Sequence, residues 1–206
     1  MTEFHLLAGF LCEETNPVES ISQVQNYLDE DSSNDLTYVS EREDKLRLKS
    51  NSIHTYLSPE KMSHVFPYNK QILSMGIGLD ELRRDDGDKR LASFLEFVTL
   101  IYHATDPLYG FGMLSYRLEA IDVEVPPPIS DKKLAENRIN HPTWLMLFPP
   151  EMVEAYGREW LKSLPAARID SLDDGGLLVI TTMEVTDADA VYEAMQNIEQ
   201  AFDEIQ

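Results

Sequence analysis

An α+β fold is predicted, with a mainly antiparallel sheet and about five helices packed mostly on one face. Three observations point there. The run Trp144-Leu145-Met146-Leu147-Phe148-Pro149-Pro150 reads as an apolar strand passing straight into a helix. Asp173-Asp174-Gly175-Gly176, with apolar runs on both sides, reads as a hairpin turn, which excludes a purely parallel sheet. Elsewhere strands and helices alternate irregularly, unlike the regular rhythm of a doubly wound α/β fold.

Phe4 to Cys12 reads as the first strand, with Phe4, Leu6, Ala8 and Phe10 on one face and Leu7 and Leu11 on the other. Asn16-Pro17-Val18-Glu19 announces a helix: Asn16 can cap, Pro17 suits the first helical position, and Glu19 meets the positive end of the dipole. Val18, Ile21, Val24 and Leu28 form its apolar stripe. The acidic run 29–35 ends it as a solvated connection, because it lacks the glycine and closing glutamate of a calcium loop. Residues 36–78 are the least legible part. Leu36 to Val39 and Leu46 to Leu48 read as short strands around a charged turn, and Gln71 to Ile77 as another. Tyr56 to Tyr68, with aromatics and prolines out of period, reads as an ordered loop.

Asp88 opens a helix that runs through Ala104, with Leu91, Phe94, Leu95, Val98, Ile101 and Tyr102 on a broad apolar face suited to lying across a sheet. Leu108 to Ile121 is the longest strand expected. Gly110-Phe111-Gly112 begins like a dinucleotide fingerprint, but Ser115 stands where the third glycine belongs and a strand continues through it. What remains is local. Gly110 and Gly112 share one face, leaving a strip free of side chains that a neighbouring element, or a ligand, could approach closely. Pro126-Pro127-Pro128 is a stiff spacer and marks a weak internal boundary near 122–131 in what is expected to be one domain, 1–206. Asp131 starts a short helix. Thr143 to Phe148 is a buried strand, and Pro150 to Lys162 a single helix whose Glu154 and Arg158 stand at i,i+4 spacing. Arg168 to Leu172 and Leu177 to Met183 form the hairpin. A last helix follows Thr186-Asp187-Ala188-Asp189, with Ala188, Val191, Met195, Ile198, Phe202 and Ile205 as a narrow seam.

Composition narrows the function classes. A single cysteine, Cys12, excludes an internal disulfide framework and a paired-cysteine metal or redox site. The five histidines, His5, His54, His64, His103 and His141, show no metal-ligand spacing, and no metal or cofactor is expected. No phosphate-binding loop, zinc-protease helix or nucleophile elbow occurs, so no catalytic residue is nominated and the chain reads as non-enzymatic. His141, just before the Trp144 strand, and Arg158, on the last well-defined surface helix, stand out as candidate surface contacts. The N-terminal apolar run has an acidic leader and is followed by Glu13-Glu14, which does not fit a signal peptide, and no segment approaches the ~20 apolar residues of a membrane helix. A cytoplasmic location is therefore expected.

Charge is the outlier. Against 17 Lys and Arg stand 37 Asp and Glu, giving −20. That sign disfavours nucleic acid and anionic membranes as partners. Two explanations fit: a surface adapted throughout to a salt-loaded cytoplasm, the favoured one, or a dedicated acidic face for a basic partner.

The order of motifs from 109 to 182 carries a resemblance. A Tyr109-Gly110 strand precedes the proline-rich gap and the Trp144 strand ending in Phe148-Pro149-Pro150. A helix bearing Tyr156-Gly157-Arg158-Glu159 and the Leu172 to Leu177 hairpin follow. This arrangement resembles the immunity proteins of polymorphic-toxin and type VI systems, over about the last half of the chain. The resemblance implies an intracellular α+β protein that binds and neutralises a cognate toxin; the charge of −20 adds the expectation that an acidic surface meets a basic partner. It assigns no toxin-binding residues. Two other classes stay open: an enzyme or small-molecule binder walled by Gly110 and Gly112, and a nucleic-acid mimic. Oligomeric state is left open.

Overall fold

A computed structural model describes residues 5–13, 16–30, 37–50, 52–60, 70–114 and 128–204. Its strands are β1 (His5–Cys12), β2 (Thr37–Arg42), β3 (Lys45–Lys49), β4 (His54–Glu60), β5 (Gln71–Gly78), β6 (Tyr109–Leu114), β7 (Leu145–Phe148), β8 (Arg168–Ser171) and β9 (Leu177–Ile180). They form one nine-stranded sheet in the order β2-β3-β4-β5-β1-β6-β7-β9-β8, and every pairing is antiparallel. Seven described helices accompany it: α1 (Pro17–Glu30), α2 (Leu79–Leu82), α3 (Gly87–Thr105), α4 (Asp131–Ala135), α5 (Pro150–Tyr156), α6 (Arg158–Lys162) and α7 (Ala188–Asp203). The fold is α+β, with two more helices than expected because single-turn pieces add to the long ones.

Both faces of the sheet are covered, which corrects the expectation of helices mostly on one face. Leu6, Ala8 and Phe10 of β1, Leu145 and Leu147 of β7, and Leu178 and Ile180 of β9 join Ile21 and Val24 of α1 and the apolar face of α3 in one core. The alternate residues, Leu11, Met146, Phe148, Leu177 and Val179, join Met152, Val153 and Tyr156 of α5 and Leu161 of α6 in a second. Four consecutive buried residues in β7 and in β9 are what burial on both faces requires. Helix α7 serves both layers, giving Val191 to the first and Ile198 and Phe202 to the second, so it crosses the strand ends rather than lying flat on one face.

Local chemistry accounts for most boundaries. Asn16 caps α1, its Oδ1 accepting from Val18 N at 3.1 Å. Asp187 caps α7, its carboxylate accepting from Asp189 N and Ala190 N. Two differences have physical causes. Strand β4 occupies the start of a stretch read as loop: Ile53, Thr55 and Leu57 point inward between exposed His54 and Tyr56, and Pro59 is accommodated at the strand's far end. The single helix expected over Pro150 to Lys162 is two, broken at Gly157, whose φ of 88° interrupts the helical run. The strand expected to continue to Ile121, Pro126 and Pro127 of the proline spacer with much of the 122–131 boundary, the loop beyond Glu60, the acidic run from 31 and Ile205 lie outside the described residues. Among the described residues, no helix is long and apolar enough to cross a membrane.

Candidate functional site

A pocket opens where the first half of α7 passes the ends of β6 and β7, with a volume of about 220 Å³. Gly112, Leu114, Pro142, Trp144, Val191 and Met195 make its apolar walls, and His141, Gln196 and Glu199 bring polar groups to it. Each part is positioned by a separate device. Antiparallel pairing with β1 sets Gly112 opposite Ala8. The segment entering β7 is pinned by Asn140 N donating to the Pro128 carbonyl at 2.8 Å, Ile139 N donating to the Tyr156 hydroxyl at 2.8 Å, and the Thr143 hydroxyl donating to the Leu145 carbonyl at 2.5 Å. His141 is thereby held over α7, its Nδ1 3.2 Å from Glu199 Oε1.

The glycine strip is explained by the strand beside it. A Cβ on Gly110 would stand 2.6 Å from Leu147 Cδ1, and one on Gly112 would stand 2.3 Å from Trp144 Nε1 and 2.4 Å from its Cε2. Side chains of β7 and its entry fill the strip, and only the Gly112 end reaches the pocket. Trp144 is 1% exposed, and its indole nitrogen has no hydrogen-bond partner. Of the four residues singled out in the sequence, the fold therefore brings Gly112 and His141 to one pocket. It places Gly110 behind them in the sheet and Arg158 elsewhere.

Arg158 braces the hairpin. Its guanidinium donates to the carbonyl of Gly175, the turn residue with φ of 96°. No bond joins it to Glu154, because the break at Gly157 takes the two residues out of helical register. On the other side of the turn the buried Tyr102 hydroxyl donates to Asp174 Oδ2 at 2.6 Å, while Asp174 Oδ1 accepts from Gly176 N at 2.8 Å. Burial, and then the Asp174 carboxylate, hold the Tyr102 phenol far above its ordinary range, so it remains a donor at any physiological pH. Tyr102→Phe should lower stability by about 1.5–3 kcal/mol in urea unfolding, the scale for a hydrogen bond to a charged group. An unchanged midpoint would show that the turn holds without it.

Beyond the pocket, reactive groups are unremarkable. Cys12 is buried and its thiol is pushed up to about 11 by that burial, so it is protonated and unreactive at neutral pH. Among the described residues no group of three or more His, Cys, Asp or Glu is placed to hold a metal ion. The feature that sequence reasoning missed is α7's part in the site: Val191, Met195, Gln196 and Glu199 stand at spacings that bring one helical face to the pocket, but nothing local tells which strand ends they meet.

No family model matches the chain, and no curated protein matches it in sequence. In structure the chain is similar to the Pseudomonas aeruginosa T6SS protein PA0821, with 11% identity and a TM-score of 0.47 over 95% of this chain and 73% of that one.

Proposed function

We propose that the chain is a non-enzymatic binding protein of the toxin-immunity kind, whose acidic surface meets and neutralises a basic toxin. One observation carries the reading. The last 38 residues, 169–206, contain ten Asp and Glu and no Lys, Arg or His, so they hold half of the net charge of −20. In the fold this stretch forms the hairpin turn, β9 and α7. Asp173, Asp174, Glu184, Asp187, Asp189, Glu193, Asp203 and Glu204 are all exposed. Among its described acids only Asp170, beside Arg168, and Glu199, beside His141, form an ion pair with a basic side chain. Such a field attracts a cationic protein at long range and repels nucleic acid, anionic membranes and a second copy of the chain.

The experiment is protection. A toxin encoded beside this gene is expressed in a host with and without the protein, and the complex is isolated at the host's own salt. Survival with the protein, and a complex that weakens as salt rises, is the expected result. Death in both cases, or a complex indifferent to salt, overturns the reading. The pocket favours a second reading, a small-molecule binder; a ligand retained by the protein purified from its host, with no protein partner, would support that one instead.

A further inference from the structure

We infer that the pocket between α7 and the ends of β6 and β7 receives a long basic side chain, arginine or lysine, from the basic partner proposed above, on which reading this inference rests. Size is the first argument. About 220 Å³ falls short of the roughly 300–1,000 Å³ typical of sites that enclose a small-molecule ligand, but it suits one inserted side chain. Chemistry is the second. The walls from Leu114, Pro142, Val191 and Met195 are aliphatic or thioether, whereas Glu199 brings a carboxylate. Lysine and arginine match that division: their methylene stems lie along apolar surface while the charged head stays at a polar edge. Glu199 Oε1 already faces His141 Nδ1, and a carboxylate has acceptor capacity on both oxygens, so a second donor can be taken without breaking that contact.

The third argument is the surrounding field. One wall of the pocket is α7, which belongs to the stretch that has ten acids and no basic residue. An anionic occupant would be repelled, and a neutral apolar one would cover the Glu199 carboxylate, half-exposed at 47%, without replacing its water. A cation on an aliphatic stem gains from both the wall and the charge. Buried arginine in an apolar setting is also among the side chains that dominate protein interfaces.

The test uses free side-chain analogues on the intact protein. Butylguanidinium and butylammonium are titrated in separate NMR experiments, with butylurea as the neutral counterpart, following the Trp144 indole and Met195 methyl signals. Both cations, or one of them, should shift these signals saturably, with butylurea at least about fivefold weaker. Glu199→Gln should remove that preference, and Ala188→Phe, which fills the pocket from an exposed position, should abolish the response. No shift at either signal, or an equal response to butylurea, overturns the inference. The protection assay separates the two proposals. If the wild type protects its host and both variants protect equally well, the pocket inference fails while the basic-partner reading stands. If the wild type does not protect, that earlier reading fails, and the titration alone decides what the pocket binds.

Discussion

Trp144→Ala should lower the unfolding free energy by about 3–5 kcal/mol, the range for deleting a large aromatic from a core. Trp144 is among the largest fully buried side chains, at 1% exposure, and it stands where β7 begins. Its carbonyl accepts from Thr181 N at 2.9 Å and from the Thr181 hydroxyl at 3.2 Å, so the chain end of β9 is tied to the same residue. Loss of the indole removes the packing on both Gly112 and the pocket wall, and the cavity left there joins the pocket. A complementary change shows how tightly the two residues are matched. Gly112→Ala puts a methyl 2.3 Å from Nε1 and 2.8 Å from Leu145 Cβ, where something must move, and overpacking of this kind costs about 1–3 kcal/mol. In the Trp144→Ala background most of that cost should vanish, leaving only the contact with Leu145. A double-mutant cycle by urea unfolding should thus show a coupling of about 1 kcal/mol or more. If the two losses simply add, the ring can step aside and the glycine is not there to admit it.

Much of this architecture is written locally. Asn16 and Asp187 cap the helices that they precede, the apolar face of α3 is buried as its spacing implies, and the Asp-Gly turn joins β8 to β9. What was misread depends on partners distant in sequence. Strand β4 carries the alternation Ile53, Thr55, Leu57, but Pro59 demotes it unless one knows that the proline falls beyond the pairing with β3, which ends at Leu57, and faces only Leu73 of β5. Gly157 looks tolerable within a helical pattern; the break there becomes legible only once Arg158 is seen reaching Gly175. The second helical layer had a signal in the unbroken apolar runs Leu145 to Phe148 and Leu177 to Ile180, which imply burial on both faces. The pocket had almost none. Gly112 and His141 are brought together by sheet pairing, and α7 is added from far along the chain, so no spacing in the sequence announces the contact between His141 and Glu199.

Raising salt from 0.1 to 2 M should raise the melting temperature by roughly 5–10 °C. Two like charges ~10 Å apart in water repel by about 0.4 kcal/mol. A chain with 20 uncompensated negative charges contains many such pairs, and the total reaches several kcal/mol. For a protein of this size each kcal/mol is worth about 2–4 °C. The unfolded chain repels itself too, which is why the gain stays at the lower end of that product. Since the screening length falls from ~10 Å at 0.1 M to ~3 Å at 1 M, most of the rise should be complete by molar salt. A melting temperature flat to within a few degrees would remove self-repulsion as a force in this fold. Where the repulsion sits is a separate question, and two substitutions on α7 answer it. Glu193→Lys with Asp203→Lys takes the net charge from −20 to −16, on exposed positions of the stretch without basic residues. Asp203 also stands in the last turn of α7, where a carboxylate opposes the helix dipole and a lysine suits it. If the charge acts as an even coat, the salt-dependent rise should shrink by about a third, because pairwise repulsion follows the square of the net charge. If it acts as a face gathered on the hairpin turn and α7, the rise should shrink by half or more, and binding to a basic partner should weaken with it. Against the even coat favoured on overall composition, the concentration of half the charge in 169–206 leads us to expect the second outcome.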